Sequence, residues 1–599
     1  MKNDRDVPDP DPSISHEVAE IRQRLEKLDA ERAQLRQRLQ EIQATCSTSA
    51  AVTATSSPRD KIHLFRSLFR GRADVFPRRW QNAKTGKKGF SPACRNEWVP
   101  GVCQKPKVKC SDCPHQAFVP VDDDMIAQHL RGTSGSDRGD EFVIGIYPIL
   151  PDNSCWFLAV DFDGKTWESD AKSYLDSCRA HQIEAALERS RSGNGGHVWM
   201  FFSEPIPSST ARQLGTLLMT AALDRRPEIG FASYGRFFPN QDTLPAGGFG
   251  NLIALPLQGL PRRAGNTVFI DDDVEPFEDQ WAYLSSLGRT SLKKAEELVD
   301  DAVAKGDLLR VRLPIDEDDS VDPWELPPSR KPRKIDAAGP LPSALKITIA
   351  DQVYVERADL PSAMVANLAR VAAFQNPEFY RAQAMRLPTH GKPRVISCAE
   401  LHAHHIALPR GCLDEAIDLL AAHDIKAGLD DKRDAGRVID AEFTGVLRPQ
   451  QIKAVDAVAG HDFGVLAATT AFGKTVVAAA LIARRKVNTL ILVHRRELLE
   501  QWTERLKAFL PVDDRDVGVI GAGKRKPTER IDVAMIQSLV RRGEVSDVVA
   551  GYGQIIVDEC HHLPAVSFEL VARRSKAKYV LGLSATVVRK DGQARASIV

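Results

Sequence analysis

One segment constrains the fold more than any other: residues 464–483 are GVLAATTAFGKTVVAAALIA. An apolar run, a loop containing Gly473 and an Ala/Val-rich run predict a strand, a turn and a helix. N–H groups at the start of such a helix can surround phosphate oxygens, while Lys474 contacts the β- and γ-phosphates and Thr475 offers its hydroxyl to Mg²⁺. Ala468 stands where the general pattern has its first glycine. The segment predicts a parallel-sheet α/β domain that binds a nucleoside triphosphate.

Two later apolar runs predict strands of the same domain. QIIVDECHH (554–562) ends its apolar part at Asp558 and Glu559, and YVLGLSATVVRKDG (579–592) does so at Ser584. Carboxylates at strand ends suit Mg²⁺ binding and activation of a water molecule. An exposed turn explains an isolated Asp-Glu pair, but the upstream phosphate-binding loop favours the catalytic interpretation.

Six short motifs follow one another: LRPQQ (447–451), ATTAFGKT (468–475), LILVHRREL (490–498), IQSL (536–539), DECH (558–561) and SAT (584–586). In this order they resemble the superfamily 2 (DEAD/DEAH-like) helicases. TVVRKDG (586–592) resembles the DNA-repair and restriction-type branch of that superfamily. The resemblance covers about 445–599 and implies a RecA-like ATP-binding domain.

The helicase resemblance implies a role for each matching residue. Gln451 would read the adenine edge, Asp558 would hold Mg²⁺, and Glu559 would polarise the attacking water as the catalytic base. Ser584 and Thr586 would link the ATP site to the nucleic acid. The residues implied to lie along the nucleic-acid strand are His494, Arg495 and Gln537. The implied nucleotide-binding set is Arg448, Gln451, Thr470, Gly473, Lys474, Thr475, Asp558, Ser584 and Thr586.

Such helicases resemble a clamp of two RecA-like domains, with arginine fingers on the second. Only residues 587–599 follow the SAT motif. An arginine finger contributes about 10³–10⁵ in rate in related phosphoryl-transfer enzymes. We therefore expect that this chain alone binds ATP, hydrolyses it slowly and does not translocate. Either the chain is a fragment or another chain supplies the second lobe in trans.

Two carboxylates interrupt an apolar run further upstream. SCWFLAVDFDGKTW (154–167) carries Asp161 and Asp163, which at i and i+2 of a strand share one face. Paired carboxylates cost free energy unless a cation lies between them, so the pair predicts a catalytic Mg²⁺ or Mn²⁺ site. LERSRSGNGGHVWMFF (187–202) then brings a Gly-rich turn and His197, which suit phosphate binding together with Arg191 and Ser192. A core histidine is the alternative for His197.

These blocks, followed by FFPNQD (237–242), resemble the archaeo-eukaryotic primase superfamily, and most closely its branch in TOTE conflict systems. In that branch such a primase is joined to a helicase. The resemblance covers about 58–272 and implies catalytic metals at Asp161 and Asp163 and nucleotide phosphates at His197. Asp242 is the predicted third acidic residue. Relatives often carry Asp where this chain has Gly235, which favours an alternative function: an ATP-gated nucleic-acid-binding module with an inactive primase domain.

Four cysteines suggest a structural zinc site. Their spacing is C-x8-C-x6-C-x2-C, with a terminal C-x2-C knuckle, and four thiolates suit tetrahedral Zn²⁺. His115 is a competing ligand, and four unrelated thiols are the alternative. The predicted zinc ligands are Cys94, Cys103, Cys110 and Cys113. The segment 69–90 interleaves Arg and Lys with Phe and Trp, which suits strand binding by charge and stacking, although a solvated basic face also explains it.

The remaining segments complete a multi-domain α/β chain. Residues 1–57 predict a disordered leader with a coiled coil at about 16–43, whose alternative is a lone solvated helix. Residues 273–345 predict a helical segment and linker. Residues 346–444 resemble by position the accessory domain of the helicase branch, as either a DNA-contacting or a packing domain. The coiled coil predicts self-association.

Composition sets the compartment and the class of partner. Lys+Arg 81 against Asp+Glu 80 gives a net charge of +1, so nucleic-acid binding must come from local patches. The chain shows neither a signal peptide nor a membrane-spanning apolar run, and this predicts a cytoplasmic protein. Together the motifs predict a primase–helicase of a conflict, defence or DNA-repair system. It would use ATP, Mg²⁺ or Mn²⁺ and Zn²⁺, with nucleoside triphosphates and a single-stranded, preferably DNA, template as ligands.

Overall fold

The computed structural model describes residues 24, 51–82, 85–133, 141–309, 311, 339–389, 391–469, 471–513, 516–541, 543–560 and 565–585. They belong to two compact units, of which the smaller contains the described residues up to 64 together with 278–286. In this unit Ala54 N donates to Asp279 Oδ2 at 2.7 Å, and Val52 N donates to Ser285 Oγ at 3.1 Å. The predicted coiled coil lies outside the described residues except for Arg24.

The amino-terminal part is a mixed α/β region. Its strands are β1 (Pro77–Gln81), β2 (Lys88–Pro92), β3 (Gly145–Ile146), β4 (Ser154–Asp163), β5 (Ala186–Arg189), β6 (Gly195–Pro207), β7 (Phe237–Phe238), β8 (Ile253–Ala254) and β9 (Phe269–Ile270). Its helices are α1 (Pro58–Leu68), α2 (Asp123–Arg131), α3 (Trp167–Ala180), α4 (Ser208–Arg225), α5 (Gly259–Arg263), α6 (Gln280–Ser286) and α7 (Leu292–Lys305).

The central sheet of this part has the antiparallel order β7-β4-β6-β5-β9. Side chains alternate between its two faces. On one face, Phe162 contacts Tyr174 of α3 at 5.7 Å between ring centroids, and Leu158 lies against Gly215 of α4. On the other face, Phe157 contacts Trp199 at 5.2 Å. Because Asp161 and Asp163 share the parity of Phe157, they project from the face opposite α3 and α4.

The middle part, 339–431, contains a five-stranded mixed sheet in the order β14-β15-β11-β10-β16 and a β12–β13 hairpin. Its strands are β10 (Ala344–Ile349), β11 (Val353–Glu356), β12 (Ala373–Gln375), β13 (Val395–Ser397), β14 (Glu400–Leu401), β15 (His405–Leu408) and β16 (Lys426–Asp431). Its helices are α8 (Ser362–Val371), α9 (Pro377–Ala384) and α10 (Leu413–Ala421). Buried apolar residues of this sheet include Ile347, Val353 and Val355.

The carboxyl-terminal part has the predicted parallel sheet. Its order is β17-β25-β24-β18-β21-β19-β20, with only the β20 edge antiparallel. The strands are β17 (Phe463–Ala467), β18 (Thr489–Val493), β19 (Val517–Gly521), β20 (Lys524–Lys526), β21 (Ile531–Met535), β22 (Val540–Arg541), β23 (Glu544–Val545), β24 (Gln554–Val557) and β25 (Tyr579–Ser584). The helices are α11 (Pro449–Ala459), α12 (Lys474–Arg485), α13 (Arg496–Phe509), α14 (Ile536–Leu539) and α15 (Ala565–Arg574).

Burial explains why β18 and much of α12 are continuous apolar runs in the sequence. All five residues of β18 are buried, and α12 is buried from Val477 to Ala483. A parallel strand covered on both faces needs such a continuous apolar run, which is why this part of the fold is visible in the sequence. Among the helices that the structure describes, none is long and apolar enough to cross a membrane.

The fully buried His129 of α2 forms hydrogen bonds with two other segments of the amino-terminal region. Its Nε2 lies 2.9 Å from Pro256 O, and its Nδ1 accepts from Ile144 N at 3.2 Å. Burial lowers the pKa of His129 to about 4 from 6.5, and Arg262 and Arg191 add to the decrease. The imidazole of His129 is therefore neutral in the folded protein near pH 6.5, where a solvated histidine gains a proton.

This burial predicts a pH dependence of stability. Because the pKa of His129 is lower in the folded than in the unfolded state, its contribution is complete above pH 6.5 and is lost as the pH falls toward about 4. The loss should reach about 3 kcal/mol in the free energy of unfolding. Denaturant unfolding of wild type and His129→Gln between pH 7 and pH 4 measures it, and the variant should lack this component. An equal slope in both proteins contradicts the prediction; His63→Gln, at an exposed position, is the matched control.

Candidate active sites

Three neighbouring strands carry the polar residues of the first candidate site. Asp161 on β4 lies directly opposite His197 on β6, and His197 lies directly opposite Glu188 on β5. His197 Nε2 is 3.6 Å from Asp161 Oδ1, and His197 Nδ1 is 3.0 Å from Glu188 Oε2. The pairing register therefore places the three side chains in one row across the sheet.

Glu188 is a residue that the sequence analysis missed. Its side chain is buried, and its Oε2 accepts from both His197 Nδ1 and Trp199 Nε1, the latter at 2.8 Å. Because Glu188 Oε2 lies beside Nδ1, the Nε2 atom of His197 is directed toward Asp161. A lone acidic residue in a short strand is an ordinary pattern, and only the register reveals its partner.

Burial and charge set the protonation of this row. Burial raises the pKa of Asp161, and the neighbouring Asp163 raises it further, while His197 and Arg236 offset part of the increase. Burial by itself lowers the pKa of His197, but the charges of Glu188, Asp161 and Asp163 outweigh it, so the pKa is raised. The raised pKa of His197 favours its protonated form beside these acidic groups.

Two glycines allow the Gly-rich turn to approach the carboxylates. A Cβ on Gly195 would lie 2.7 Å from Asp163 Oδ1, and a Cβ on Gly196 would lie 2.6 Å from the Trp167 ring. Both distances are shorter than real Cβ contacts. A side chain at either position would displace the Asp163 carboxylate or the first residue of α3.

Arg191 and Ser192, two other predicted residues of this region, are engaged in contacts outside the row. Arg191 donates through Nη2 to Glu141 at 2.7 Å and through Nη1 to Gln258 at 2.6 Å, so its guanidinium is committed to these contacts. Ser192 Oγ lies 3.2 Å from Ser190 Oγ and accepts from Asn194 N at 3.3 Å within the turn.

Asp242 is committed to an ion pair. Its Oδ2 accepts from Arg212 Nη2 and from Gln383 Nε2, each at 2.8 Å, and its Oδ1 is paired with Arg212 Nε. Burial raises the pKa of Asp242, but Arg212 outweighs this effect and the net shift is downward. These contacts join Asp242 to Gln383 of the accessory part, and a third metal ligand at this position stays a prediction. A Cβ at Gly235 would have no heavy atom within 4 Å.

The fit of a divalent cation to Asp161 and Asp163 follows from their mutual repulsion. Direct interaction with Asp163 contributes to the raised pKa of Asp161, so a cation between them would relieve a real free-energy cost. Among the described residues, no group of three or more His, Cys, Asp or Glu side chains is arranged to hold a metal ion. The two carboxylates would thus supply part of a ligand shell that phosphate oxygens and water complete.

The second candidate site lies between β17 and α12. Gly473 precedes α12 with φ of 90°, in the region that glycine adopts without strain. Gln451 Nε2 donates to Phe472 O at 2.8 Å, and Gln451 Oε1 accepts from Arg448 N at 2.9 Å. Arg448 Nη2 also donates to Ala471 O at 3.3 Å. Arg448 and Gln451 therefore hold the backbone of the phosphate-binding loop, and the adenine contact of Gln451 stays a prediction.

Two charged residues of this site, Lys474 and Glu559, lie close together. Lys474 Nζ lies 3.2 Å from Glu559 Oε1 and 3.4 Å from Ala468 O. Asp558 Oδ2 accepts from Trp502 Nε1 at 2.7 Å, a contact that the sequence does not reveal. Burial raises the pKa of Asp558, although the hydrogen bond from Trp502 opposes the increase.

The other predicted members of the ATP site have fewer described contacts. Ser584, at the end of β25, pairs with Ala467 of β17, and its carbonyl accepts from Ala468 N at 3.0 Å. Thr475 is half-buried at the start of α12. Thr470 and Thr586 lie outside the described residues. Among the residues implied to lie along nucleic acid, Gln537 Nε2 donates to His494 O at 3.1 Å.

The four spaced cysteines and His115 line one pocket of the amino-terminal part. Backbone N–H groups of Lys105 and Trp98 lower the pKa of Cys103, whereas burial raises the pKa of Cys110. The described side chains are not in a metal-holding arrangement. The pocket thus brings the predicted ligands together without forming a tetrahedral cluster.

Comparison with known families identifies the two parts. Residues 60–298 match the family described as "TOTE conflict system, Archaeo-Eukaryotic Primase domain", and residues 444–589 match "Type III restriction enzyme, res subunit". The chain joins a TOTE-type primase domain to a superfamily 2 helicase domain. Both resemblances drawn from the motifs are confirmed.

The relatives match the helicase domain. A putative ATP-dependent RNA helicase of Acanthamoeba polyphaga mimivirus is 35% identical over 162 residues, which are 26% of this chain and 30% of the relative. The DNA 3'-5' translocase XPB2 of Sulfurisphaera tokodaii is 36% identical over 147 residues, 24% of this chain and 32% of the relative. The chain thus spans about a third of the length of these relatives. The crystal structure of the UvsW helicase from Bacteriophage T4 is 16% identical with a TM-score of 0.33, covering 42% of this chain and 95% of that one.

Glu188 should control how firmly the primase domain holds a nucleoside triphosphate. Removing its carboxylate in Glu188→Ala leaves Nδ1 of His197 and Nε1 of Trp199 without their acceptor, so His197 can rotate. We expect about tenfold weaker binding, as for other residues that orient a ligand-binding histidine. Titration of the fluorescence of a labelled nucleotide on the full chain measures the dissociation constant.

Glu188→Gln is the matched variant. One amide oxygen can still accept from both donors, so this variant keeps the position of His197 and loses only the negative charge. Its affinity should fall between those of wild type and Glu188→Ala. Equal affinity of wild type and Glu188→Ala would show that the carboxylate does not orient the histidine.

Proposed function

We propose that the primase domain joins nucleotides on a single-stranded nucleic-acid template. The observation that carries this proposal is the row formed by Asp161, His197 and Glu188, with Asp163 beside it against the Gly-rich turn. Two divalent metal ions, when bound, would activate the 3′-hydroxyl and stabilise the departing pyrophosphate. Asp161 and Asp163 are the residues that would hold them.

The other residues of the site would orient the incoming nucleotide. His197, fixed by Glu188 and with its pKa raised, would donate from Nε2 to a phosphate oxygen. Asp161 Oδ1 now lies 3.6 Å from His197 Nε2 as its negatively charged neighbour. A bound phosphate would replace it in that role. Gly195 and Gly196 would let the turn lie close to the triphosphate. The row thus supplies a binding group for phosphate beside two groups for metal.

We propose that the helicase domain binds ATP and, in this chain alone, hydrolyses it slowly without translocating. Lys474 pairs with Glu559 at 3.2 Å, so phosphate binding would draw Lys474 away and free Glu559 to polarise a water molecule. Asp558, held by Trp502, would contribute to the Mg²⁺ site. Because its relatives are named as a DNA translocase and an RNA helicase, we propose nucleic acid as the partner of this domain, with DNA as the preferred template.

A second candidate function is an ATP-gated nucleic-acid-binding module whose primase domain is inactive. The observation that favours it is the ion pair of Asp242 with Arg212, which leaves Asp161 and Asp163 as the two predicted carboxylate ligands for a metal ion. Gly235 adds to this because glycine has no side chain that could serve as a further ligand. Nucleotide incorporation decides between the two functions.

The decisive experiment is template-directed incorporation by the full chain with Mn²⁺ or Mg²⁺. Asp161→Ala/Asp163→Ala should abolish incorporation, a loss of at least about 10³-fold, because both metal-binding carboxylates are gone. Lys474→Ala should lose ATP hydrolysis and keep incorporation, which separates the two sites. Template binding without incorporation by folded wild type supports the inactive module instead.

We also propose a structural Zn²⁺ held by Cys94, Cys103, Cys110 and Cys113. All four line one pocket, and a zinc ion would draw them into a tetrahedron and remove their protons. Purified protein should then contain one zinc per chain by elemental analysis, and Cys110→Ser/Cys113→Ser should lose it. Cys178→Ser, at a buried cysteine outside the pocket, is the control and should keep its zinc. Metal-free wild type that unfolds at the same temperature as the zinc-bound protein would contradict a structural role.

A further inference from the structure

Two exposed tryptophans lie at the edge of the primase domain. Trp80 on β1 is 43% exposed, and one face of its indole rests on Gly89 of β2, where a Cβ would lie 2.7 Å from the ring. Trp98 is 67% exposed and has φ of 62°, a backbone conformation that bulky residues rarely adopt. Large aromatic rings that are left in solvent suit stacking on another flat group.

The two rings belong to one surface. Ser91, two residues after Gly89 on β2, projects from the same face as Trp80, and its Oγ donates to Glu97 Oε1 at 3.1 Å. Lys105 Nζ donates to the same oxygen at 2.8 Å and lies 5.9 Å from the centre of the Trp98 ring. A continuous set of contacts therefore connects the hairpin face that carries Trp80 with Trp98.

The segment that carries these two rings, 77–118, is strongly basic. Within 77–118 the described residues carry two acidic side chains, Glu97 and Asp112, of which Glu97 is neutralised by Lys105. The basic side chains of the same range are Arg78, Arg79, Lys87, Lys88, Arg95, Lys105, Lys107 and Lys109. Aromatic rings among positive charges match a polymer of flat bases joined by phosphates.

The hairpin is also joined to the Gly-rich turn of the candidate active site. Arg79 lies on the other face of β1 and pairs with Glu141 at 2.8 Å. Glu141 accepts in turn from Arg191 of the turn at 2.7 Å. A strand bound on the hairpin is thus mechanically connected to the loop that precedes His197.

We propose that the surface formed by Trp80, Trp98 and the basic side chains around them binds single-stranded nucleic acid, with bases stacked on both indoles. The proposal rests on the proposed function for the biological role of that strand, as template or primer. Its physical basis is independent of catalysis: two exposed rings, one connected face and a positive charge that the two acidic side chains do not balance.

The test is binding of fluorescein-labelled single-stranded oligothymidylate to the full chain, by anisotropy, without nucleotide or added Mg²⁺. Trp80→Ala and Trp98→Ala should each weaken binding about tenfold, whereas Trp→Phe at either position should retain most of the affinity. Lys107→Ala/Lys109→Ala should reduce the slope of log affinity against log salt by about 1.4, since each phosphate contact on a single strand contributes about 0.7.

Matched controls come from the same domain. Leu260→Ala removes an apolar side chain that is 42% exposed, and Lys293→Ala/Lys305→Ala removes two exposed lysines of α7. Both variants should bind as wild type does. Circular dichroism and unchanged ATP hydrolysis confirm that each variant is folded.

Because the helicase domain also binds nucleic acid, photo-crosslinking with an iodouracil-bearing strand locates the contact. Crosslinks at Trp80 or Trp98 together with the affinity losses support the proposal. Unchanged affinity of both Trp→Ala variants, or crosslinks confined to 444–589, overturns it. If wild type binds through the tryptophans but incorporates no nucleotide, only the proposed function is refuted. If wild type is active and both Trp→Ala variants bind normally, only this binding surface is refuted.

Discussion

A buried carboxylate that accepts a hydrogen bond from a tryptophan indole lies at the centre of both candidate sites. Trp199 Nε1 donates to Glu188 at 2.8 Å in the primase domain, and Trp502 Nε1 donates to Asp558 at 2.7 Å in the helicase domain. An ionised carboxylate away from water is costly unless donors surround it. A rigid indole supplies such a donor at a fixed place, so each acidic group keeps one orientation and can position what binds next to it.

The middle part, 339–431, is packed against both the primase and the helicase parts through buried arginines. Arg370 donates to Asp224 of α4 at 2.6 Å, and Arg410 donates to Ala577 O, just before β25, also at 2.6 Å. Arg394 donates to Asn240 O at 2.8 Å, close to the ion pair of Asp242. These three arginines are used in packing, and the choice between a DNA-contacting and a packing role for residues 346–444 stays a prediction. Removing a guanidinium from such a place leaves buried acceptors unpaired.

Much of the fold and of the ATP site could be predicted from local patterns. A phosphate-binding loop, a strand that ends in Asp558 and Glu559, and the order of six motifs all lie within short stretches of chain. The paired aspartates and the Gly-rich turn are likewise local. The ion pairs of Arg191 and Asp242 could not be predicted, because a free arginine or aspartate looks identical in a sequence to one already paired with Glu141 or Arg212.

The sequence by itself determined the parallel helicase sheet, the loop around Lys474 and the two carboxylates on one strand face, since periodicity and motif spacing act over a few residues. Only the tertiary structure decided which strands are neighbours and in which register. That register brings Glu188 to His197 and His197 to Asp161, and side-chain contacts of Ser91, Glu97 and Lys105 connect the face of Trp80 with Trp98. A shift of one residue would move these groups to opposite faces of their sheets, because successive side chains of a strand alternate between faces.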